Sequence, residues 1–523
     1  LSHPRRYPTG MSGGEILAAL RPLAEEKRTF LASELPDLVA RKIRGRKPCL
    51  RLEPALSFLA LGCEKKGDDL IFSRLPGGKT FVPAPDILAE DDRYLRHPSI
   101  PGRLQELVED HIRKKTGKAW DDPVVLERIR GAIRAQKGEY WNQARGRTIS
   151  YRAGYRILAY LAYQAPASFI QFQHILHDLA ADGLLKDRMR VLDIGSGPGT
   201  VPLAVISTWS RLSPGDVRIF ALEREEEQLE AYRSLVPGFA SPDPSVHVEE
   251  PVQGDLKSCD PALLPREVDL LVFGSVLNEL RELSVGERAA LAERISGVLA
   301  EGGTLVITEP ADLENSLALR RLSAALTRRG LTLYAPCTPL WSTSCTPDRC
   351  WTFGEGPSFV PPRLMTRLAA SSDGYRYLNT DVKFSYALHR RDRLTREAYR
   401  IPRGMKALRL SKLQGHLKRR VNVVIAKMSG DLGGRGDHVF KVCDGTPQKP
   451  VFAVVPRHHA AHARALLEGR YGEILSLEST LVRFNPARDA FNLFVDRSTK
   501  VDFLRHGQTG RNRGGKGGPK TSP

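Results

Sequence analysis

The chain has little cysteine and no long apolar run. Its 523 residues include seven cysteines. So few cysteines in so long a chain do not make a disulfide framework, which indicates a reducing compartment. No apolar run approaches the roughly 18 residues that a transmembrane helix needs. We therefore expect a soluble or peripheral protein that has no membrane partner.

Acidic residues are scarce relative to basic ones. The chain has 79 Lys and Arg against 60 Asp and Glu, a formal net charge of +19. Such an excess usually means a polyanionic partner, most often nucleic acid. A solvated basic face would explain any single cluster, but together the clusters favour an extended phosphate-contacting surface. The clusters are RKIRGRK (41–47), RGMKALRLSK (403–412), HLKRR (416–420) and the tail 507–523.

The middle of the chain alternates between strand and helix patterns. Such alternation predicts a parallel, doubly wound α/β sheet. The predicted strands are 189–195, 216–223, 268–275 and 302–310, and helices follow them from near Gly199 and over 224–236, 286–300 and 314–330.

The regions on either side of this alternating segment have different patterns of predicted helices and strands. Helices are predicted over 102–116 and over 123–137, where Asp122 is the cap, and Pro166 should break or kink the helical pattern of 151–183. A paired strand region is predicted over 373–391. The predicted domains are a helical basic region (1–150), the alternating domain (151–334), a cysteine-rich segment with the final strands (335–398), a β-rich basic domain (399–506) and a disordered basic tail (507–523).

VLDIGSGPGT (191–200) is the most specific local motif. A strand ends near Asp193, and Gly195, Gly197 and Gly199 follow before a helix. Glycines in such a turn let the backbone approach a ligand closely. Their G-x-G-x-G spacing differs from the G-x-G-x-x-G of dinucleotide sites. The motif resembles the first motif of class I S-adenosylmethionine-dependent methyltransferases.

That resemblance implies a binding site for S-adenosylmethionine. In the family, this loop wraps the methionine and ribose part of the cofactor. An acid at the end of the second strand accepts hydrogen bonds from the ribose, which here implies Glu223. An acid after the third strand region meets the adenine amine, which implies Asp255. The position after the fourth strand reads FGSVLNEL (273–280), without a recognisable catalytic motif, so catalytic residues remain unknown.

Three of the seven cysteines lie in one Pro-rich segment, APCTPLWSTSCTPDRCWTFG (335–354). Cys337, Cys345 and Cys350 are spaced C-x7-C-x4-C, and Cys443 is a candidate fourth ligand. The two C-x2-C pairs of a zinc ribbon are absent. Irregular spacing suits a [4Fe–4S] cluster held by four thiolates. Zinc on the same ligands is the main alternative.

Several stretches together resemble the mitochondrial small-ribosomal-subunit methyltransferase-like family. The resemblance covers about residues 145–475. It implies a methyltransferase-like fold with a cysteine-bound cluster on Cys337, Cys345, Cys350 and Cys443. The matching stretches, in order, are YLAYQAPASF (160–169), VLDIGSGPGT (191–200), FGSVLNEL (273–280), GGTLVITEP (302–310), DVKFSYALHRR (381–391), HVFKVCDG (438–445) and EGRYGEIL (468–475).

The family resemblance also implies a cellular role. We expect an assembly factor of the mitochondrial matrix, a monomer on the ribosome, that binds small-subunit rRNA, small-subunit proteins and other assembly factors. A transit peptide is implied at the Arg-containing leader HPRRYPTG, which lacks the apolar core of a secretory signal. Two alternatives stay open: an active rRNA methyltransferase and a zinc-stabilised, non-catalytic RNA-binding protein.

Overall fold

The computed structural model describes residues 13–43, 48–142, 155–337, 340–341, 345, 347–396, 399–402 and 404–504. The leader, residues 44–47 of the first basic cluster and the basic tail lie outside the described residues. The chain divides into two compact units. Unit 1 comprises 1–308, 356–382 and 390–392, and unit 2 comprises 309–355, 383–389 and 393–523.

Unit 1 begins with several helices and with a small sheet; the sequence analysis did not predict the sheet. The first strands form a three-stranded antiparallel sheet in the order β1-β3-β2. A disulfide joins Cys49 to Cys63, although we had predicted reduced cysteines. The elements are α1 (Gly13–Glu26), β1 (Thr29–Leu31), α2 (Asp37–Ile43), α3 (Pro48–Leu59), β2 (Leu61–Lys66), β3 (Asp69–Arg74), β4 (Thr80–Phe81), α4 (Pro85–Arg96), α5 (Gly102–Thr116) and α6 (Pro123–Asn142).

The local signals for helix ends agree with the structure. The Asp122 carboxylate accepts hydrogen bonds from the amides of Val124 and Val125, which caps α6. Pro166 lies in the first turn of a new helix, so the pattern of 151–183 is divided rather than kinked. The two helices are α7 (Tyr155–Tyr163) and α8 (Ala165–Ala181).

The predicted doubly wound sheet is present in unit 1. Five strands pair in parallel in the order β11-β10-β6-β7-β8, so the chain winds outward from β6 in both directions. This is the order 3-2-1-4-5 of doubly wound, Rossmann-type sheets, which class I methyltransferase-like folds share. The elements are β5 (Leu185–Lys186), β6 (Arg188–Ile194), α9 (Thr200–Leu212), β7 (Asp216–Glu223), α10 (Glu226–Ala240), β8 (Val246–Val248), β9 (Val252–Gln253), β10 (Val268–Gly274), α11 (Val285–Ile295) and β11 (Leu299–Pro310).

Further elements complete both units. Only the second half of the predicted strand region 373–391 is a strand, because the Asp373 carboxylate accepts hydrogen bonds from Tyr375 N and Tyr377 Oη and holds a local turn. The elements are α12 (Leu313–Arg328), β12 (Thr332–Ala335), β13 (Gly354–Gly356), α13 (Arg363–Ala369) and β14 (Val382–Arg390).

The C-terminal part of unit 2 is β-rich, as predicted. Five strands close into a ring in the order β15-β16-β17-β19-β18-β15, and β17 and β19 alone pair in parallel. With a helix between the third and fourth strands, this is the topology of an OB-fold. The elements are β15 (Arg420–Lys427), β16 (Asp437–Cys443), β17 (Val451–Pro456), α14 (Arg464–Glu468), β18 (Ile474–Asn485), β19 (Ala490–Phe494) and β20 (Lys500–Phe503).

Within the described ranges, no helix is both long and apolar enough to cross a membrane.

Candidate functional site

The glycine-rich loop lies between β6 and α9, at the carboxyl end of the parallel sheet. Gly195 has a φ of +66°, and an added Cβ would lie 2.6 Å from Val276 Cγ2. Gly199 has a φ of +91°, and a Cβ there would lie 2.2 Å from Val236 Cγ2. Only glycine fits both positions. At Gly197, by contrast, nothing lies within 3.8 Å of an added Cβ, so this part of the loop has room for a ligand.

Glu223 lies at the end of β7, where the sequence predicted a ribose acceptor. One carboxylate oxygen accepts the Gly197 amide at 2.8 Å, and the other accepts the amides of Arg224 and Glu225. The carboxylate therefore already holds the glycine-rich loop. Because a carboxylate has about four acceptor positions, one remains for a ligand hydroxyl before the loop amide must be displaced.

Asp193 is buried beneath the loop, and neither of its carboxylate oxygens has a hydrogen-bond partner among the described residues. Burial raises the pKa of Asp193 well above its ordinary range, and the nearby charge of Glu223 adds to the rise. Other buried polar atoms without a described partner lie on the loop and on α10, namely Ser196 Oγ, Gln228 Oε1 and Tyr232 Oη. Sequence reasoning missed these three residues. Ser196 lies within the glycine-rich motif but was not singled out there, and nothing in the helix pattern of α10 distinguishes Gln228 and Tyr232.

These atoms fit the predicted cofactor. Buried polar groups are normally hydrogen-bonded, so a cluster of unpaired acceptors beside an open glycine indicates room for a donor-rich ligand. The ammonium group and the ribose hydroxyls of S-adenosylmethionine are such donors. Asp255 lies near the same edge, since β9 pairs with the end of β7 and the Gly254 amide donates to the Glu223 carbonyl. Its carboxylate is 3.8 Å from the Arg224 guanidinium.

The fourth-strand segment adds no clear catalytic group. Ser275 follows β10 with a φ of +57°, a conformation that is unusual outside glycine, and its amide donates to the Thr308 carbonyl. This turn places Val276 against the glycine-rich loop. The segment therefore shapes the loop, and the catalytic residues remain unassigned.

The four predicted thiol ligands lie close enough in unit 2 for their charges to interact. Cys345 is exposed as a residue, but partial desolvation of its thiol, together with charge on Cys337 and Cys350, raises the pKa of Cys345. Burial likewise raises the pKa of Cys443, which also responds to Cys350 and Cys345. Two chain segments about 100 residues apart thus bring their thiols within electrostatic range. Among the described residues, however, no group of three or more His, Cys, Asp or Glu side chains is arranged to hold a metal ion.

Two buried cations accompany the thiols. The Arg320 guanidinium on α12 is 4% exposed, and its Nη1 donates to Cys337 Sγ at 3.6 Å. Lys441 on β16 is 7% exposed, and its Nζ donates to the Trp351 carbonyl at 2.8 Å. Burying two cations costs free energy unless negative charge compensates them, which thiolates would supply. Sequence reasoning missed both residues, because neither lies in a cysteine motif.

Asp444 anchors the Pro-rich segment to the five-strand ring. Its carboxylate accepts hydrogen bonds from Trp341 Nε1 at 2.8 Å and from the Leu410 amide at 2.9 Å. The adjacent Cys443 Sγ accepts the Gly445 amide at 3.3 Å. Thiolates that bind metals commonly accept such N–H donors, so these contacts suit a [4Fe–4S] cluster or a zinc ion on the same four cysteines.

Comparison with solved structures finds methyltransferases. A TehB-like S-adenosylmethionine-dependent methyltransferase from Corynebacterium glutamicum is 14% identical, with 49% of this chain and 97% of that one covered and a TM-score of 0.24. The mitomycin 7-O-methyltransferase MmcR is 15% identical over 62% of this chain and 89% of that one, with a TM-score of 0.26. For an S-adenosylmethionine-dependent methyltransferase from Clostridium acetobutylicum, identity is 15%, coverage is 28% of this chain and half of that one, and the TM-score is 0.20. At these scores the matches carry no argument, and the fold is described by the strand order together with the glycine-rich loop.

No curated protein matches the chain. Two family models do. The C-terminal domain of a domain of unknown function, DUF8157, matches residues 411–504, which include the five-strand ring. The model described as mitochondrial small ribosomal subunit Rsm22 matches residues 154–428, more than half of the chain. The second match runs from α7 through the glycine-rich loop and the three clustered cysteines into β15. The chain belongs to the mitochondrial small ribosomal subunit Rsm22 family.

Proposed function

We propose that this protein is an assembly factor of the mitochondrial small ribosomal subunit that binds rRNA. The observation that carries the proposal is the Rsm22 family match. The net charge of +19 supports a polyanionic partner. In the described structure, Lys412, Lys418 and Arg419 from the predicted basic clusters are exposed on unit 2. The protein would act in the matrix, as a monomer together with small-subunit proteins and other assembly factors.

Sedimentation tests this function. The purified full-length chain is mixed with small subunits from cells that lack it and is separated on a sucrose gradient. We expect the chain to move with the small subunit and to be released as salt rises, because phosphate contacts release counterions. A chain that stays at the top of the gradient at low salt would overturn the proposal.

We further propose a [4Fe–4S] cluster on Cys337, Cys345, Cys350 and Cys443. The proximity of the four thiols and the two buried cations supports it. Protein purified without oxygen should contain about four irons and four sulfides per chain and absorb broadly at visible wavelengths. Cys443→Ser should lose most of this iron. One zinc and no iron would instead favour the zinc-stabilised alternative and leave the rRNA-binding proposal standing.

The glycine-rich loop is proposed to bind S-adenosylmethionine through Asp193, Gly195, Gly197, Gly199, Glu223 and Asp255. When bound, the cofactor would supply a transferable methyl group. Asp193 would accept a donor of the cofactor, and Glu223 would accept a ribose hydroxyl. Whether the protein uses that methyl group is tested with radiolabelled cofactor and rRNA. Methyl transfer above background that is lost in Asp193→Asn would favour the second candidate, an active rRNA methyltransferase.

A further inference from the structure

The five-strand ring has an outer face that the proposed function does not yet use. Alternate residues of its strands point into a closed apolar core, among them Phe440, Ala453 and Leu493. The residues between them therefore lie on the opposite, outer side of the ring. In OB-folds, the outer side of the second and third strands and the loops beside it bind oligonucleotides.

The strand register arranges this outer side in two rows. The first row runs across β18, β19, β17 and β16 as Arg483, Asn492, Phe452 and Lys441. The second row runs across the same strands as Leu481, Phe494, Val454 and Val439. Within these rows Lys441 and Val454 are buried, and Lys441 Nζ donates to the Trp351 carbonyl. We call the remaining residues of the two rows the outer face.

The outer face combines aromatic rings with an exposed cation. Phe452 and Phe494 are partly exposed, and Arg483 is exposed. The Arg483 guanidinium carbon lies 4.6 Å from the centroid of the Phe494 ring. An arginine stacked on an aromatic ring extends the flat surface on which an unpaired base can stack.

Loops with free positive charge flank the outer face. Arg435 lies in the loop 428–436 between β15 and β16, and Arg488 lies in the turn between β18 and β19. Both are exposed, and like Arg483 they have no acidic partner in the part of the chain that the structure describes. Three acids lie in or beside these loops. Asp431 is paired with His438 and Asp489 with Lys449, whereas Asp437 lies at the start of β16. The three arginines exceed this one remaining acid, so the charge of the site suits a polyanion.

We propose that the outer face binds a single-stranded nucleic acid, an unpaired segment of RNA. Bases of a duplex are already stacked and paired, whereas partly exposed phenylalanines offer stacking only to free bases. The flanking arginines would contact the phosphates on either side. The inference rests on the proposed rRNA-binding function and specifies which surface and which form of RNA are involved.

Fluorescence anisotropy tests the proposal with the full-length chain. The probes are a labelled oligouridine of about twelve nucleotides, within the usual site size of an OB-fold, and a hairpin duplex of equal charge. We expect tighter binding of the oligouridine. Replacing each stacking ring, in Phe452→Ala and Phe494→Ala, should weaken it roughly 5- to 150-fold. Arg483→Met should weaken it less and reduce the salt slope by about one.

Arg464→Met is the matched control, because this exposed arginine of α14 pairs with Glu468 away from the two rows. Its affinity should match that of the parent chain, and circular dichroism should confirm that each variant is folded. Because both rings are partly exposed, one variant that fails to fold leaves the other and Arg483→Met as independent tests.

Three results would overturn the inference. Equal binding of duplex and single strand would exclude recognition of free bases. Unchanged affinity in the phenylalanine variants would exclude this face while leaving rRNA binding intact. Variants that bind oligouridine normally but no longer sediment with the small subunit would show that the face contacts a protein. If the parent chain binds neither RNA nor subunits, the proposed function fails as well.

Discussion

The glycine-rich loop of unit 1 and the four-cysteine site of unit 2 have opposite electrostatic characters. The loop gathers acceptors, with Asp193 and Glu223 close together and no cation among the charges that shift the pKa of Asp193. The thiols instead lie beside the buried cations Arg320 and Lys441. Each site is therefore suited to a partner whose charge is opposite to that of its own buried groups. The loop suits a cationic, donor-rich ligand such as S-adenosylmethionine, and the thiol site suits an anionic metal–thiolate assembly.

We expect the largest loss of stability when a buried cation beside the thiols is replaced. Arg320→Met keeps a similar volume but removes a buried charge and its hydrogen bond to the Tyr386 carbonyl. We expect the free energy of unfolding to fall by about 3–5 kcal/mol, as when one partner of a buried pair is removed. Urea unfolding of protein purified without oxygen measures it.

Arg328→Met provides the control, because Arg328 is exposed near the end of the same helix. A change within about 0.5 kcal/mol is expected there. If Arg320→Met proved as stable as this control, the buried Arg320 would not compensate the thiols.

A second pair of variants distinguishes a glycine that the conformation of the loop requires from a glycine that leaves room for the ligand. Gly199→Ala forces a Cβ against Val236 at a positive φ, so we expect a loss of about 2–4 kcal/mol of unfolding free energy. Gly197→Ala meets no close atom and should cost only about 1–2 kcal/mol. It should nevertheless weaken cofactor binding, because its methyl group enters the ligand space. Calorimetric titration with S-adenosylmethionine and urea unfolding measure both properties, and equal stability losses would contradict the distinction.

We expect the smallest change in stability from the buried carboxyl group of Asp193 beneath the glycine-rich loop. Because folding raises the pKa of Asp193, the folded chain holds this proton more tightly than the unfolded chain. Its contribution to stability is therefore greatest below the unfolded pKa and is lost as pH rises toward the folded pKa. Asp193→Asn should remove this loss, so the variant should gain on the parent chain as pH increases. Urea unfolding from mildly acidic to neutral pH measures the difference, and parallel curves would argue against a buried carboxyl.

The same variant should bind S-adenosylmethionine less tightly. Losing a hydrogen bond to a charged group costs about 1.5–3 kcal/mol, or roughly 10- to 150-fold in affinity. The variant would then be more stable near neutral pH but would bind the cofactor less tightly. These opposite effects would show that Asp193 serves ligand binding at a cost in stability. Unchanged affinity would remove Asp193 from the proposed site.

Many strands and helix ends could be predicted from the sequence, because the residues that specify them lie within a few positions of one another. The predicted strand 216–223 is β7 at both ends, and the capping by Asp122 was also correct. The N-terminal sheet was missed, since its strands are short and mixed with charged residues. The first half of 373–391 was wrongly read as strand, because aromatic residues favour strands while Asp373 fixes a turn there.

The alternating α/β order, the glycine-rich loop and the four candidate thiols follow from the amino-acid sequence, because residue type and spacing within one segment specify them. Which distant groups meet depends on the folded chain. Folding placed Cys443 near the three clustered cysteines, buried Arg320 and Lys441 beside them, and aligned Arg483, Phe494 and Phe452 across the strands of one ring. The physical reason is that strand register and helix packing, which no local pattern encodes, set the contacts between residues far apart in the chain.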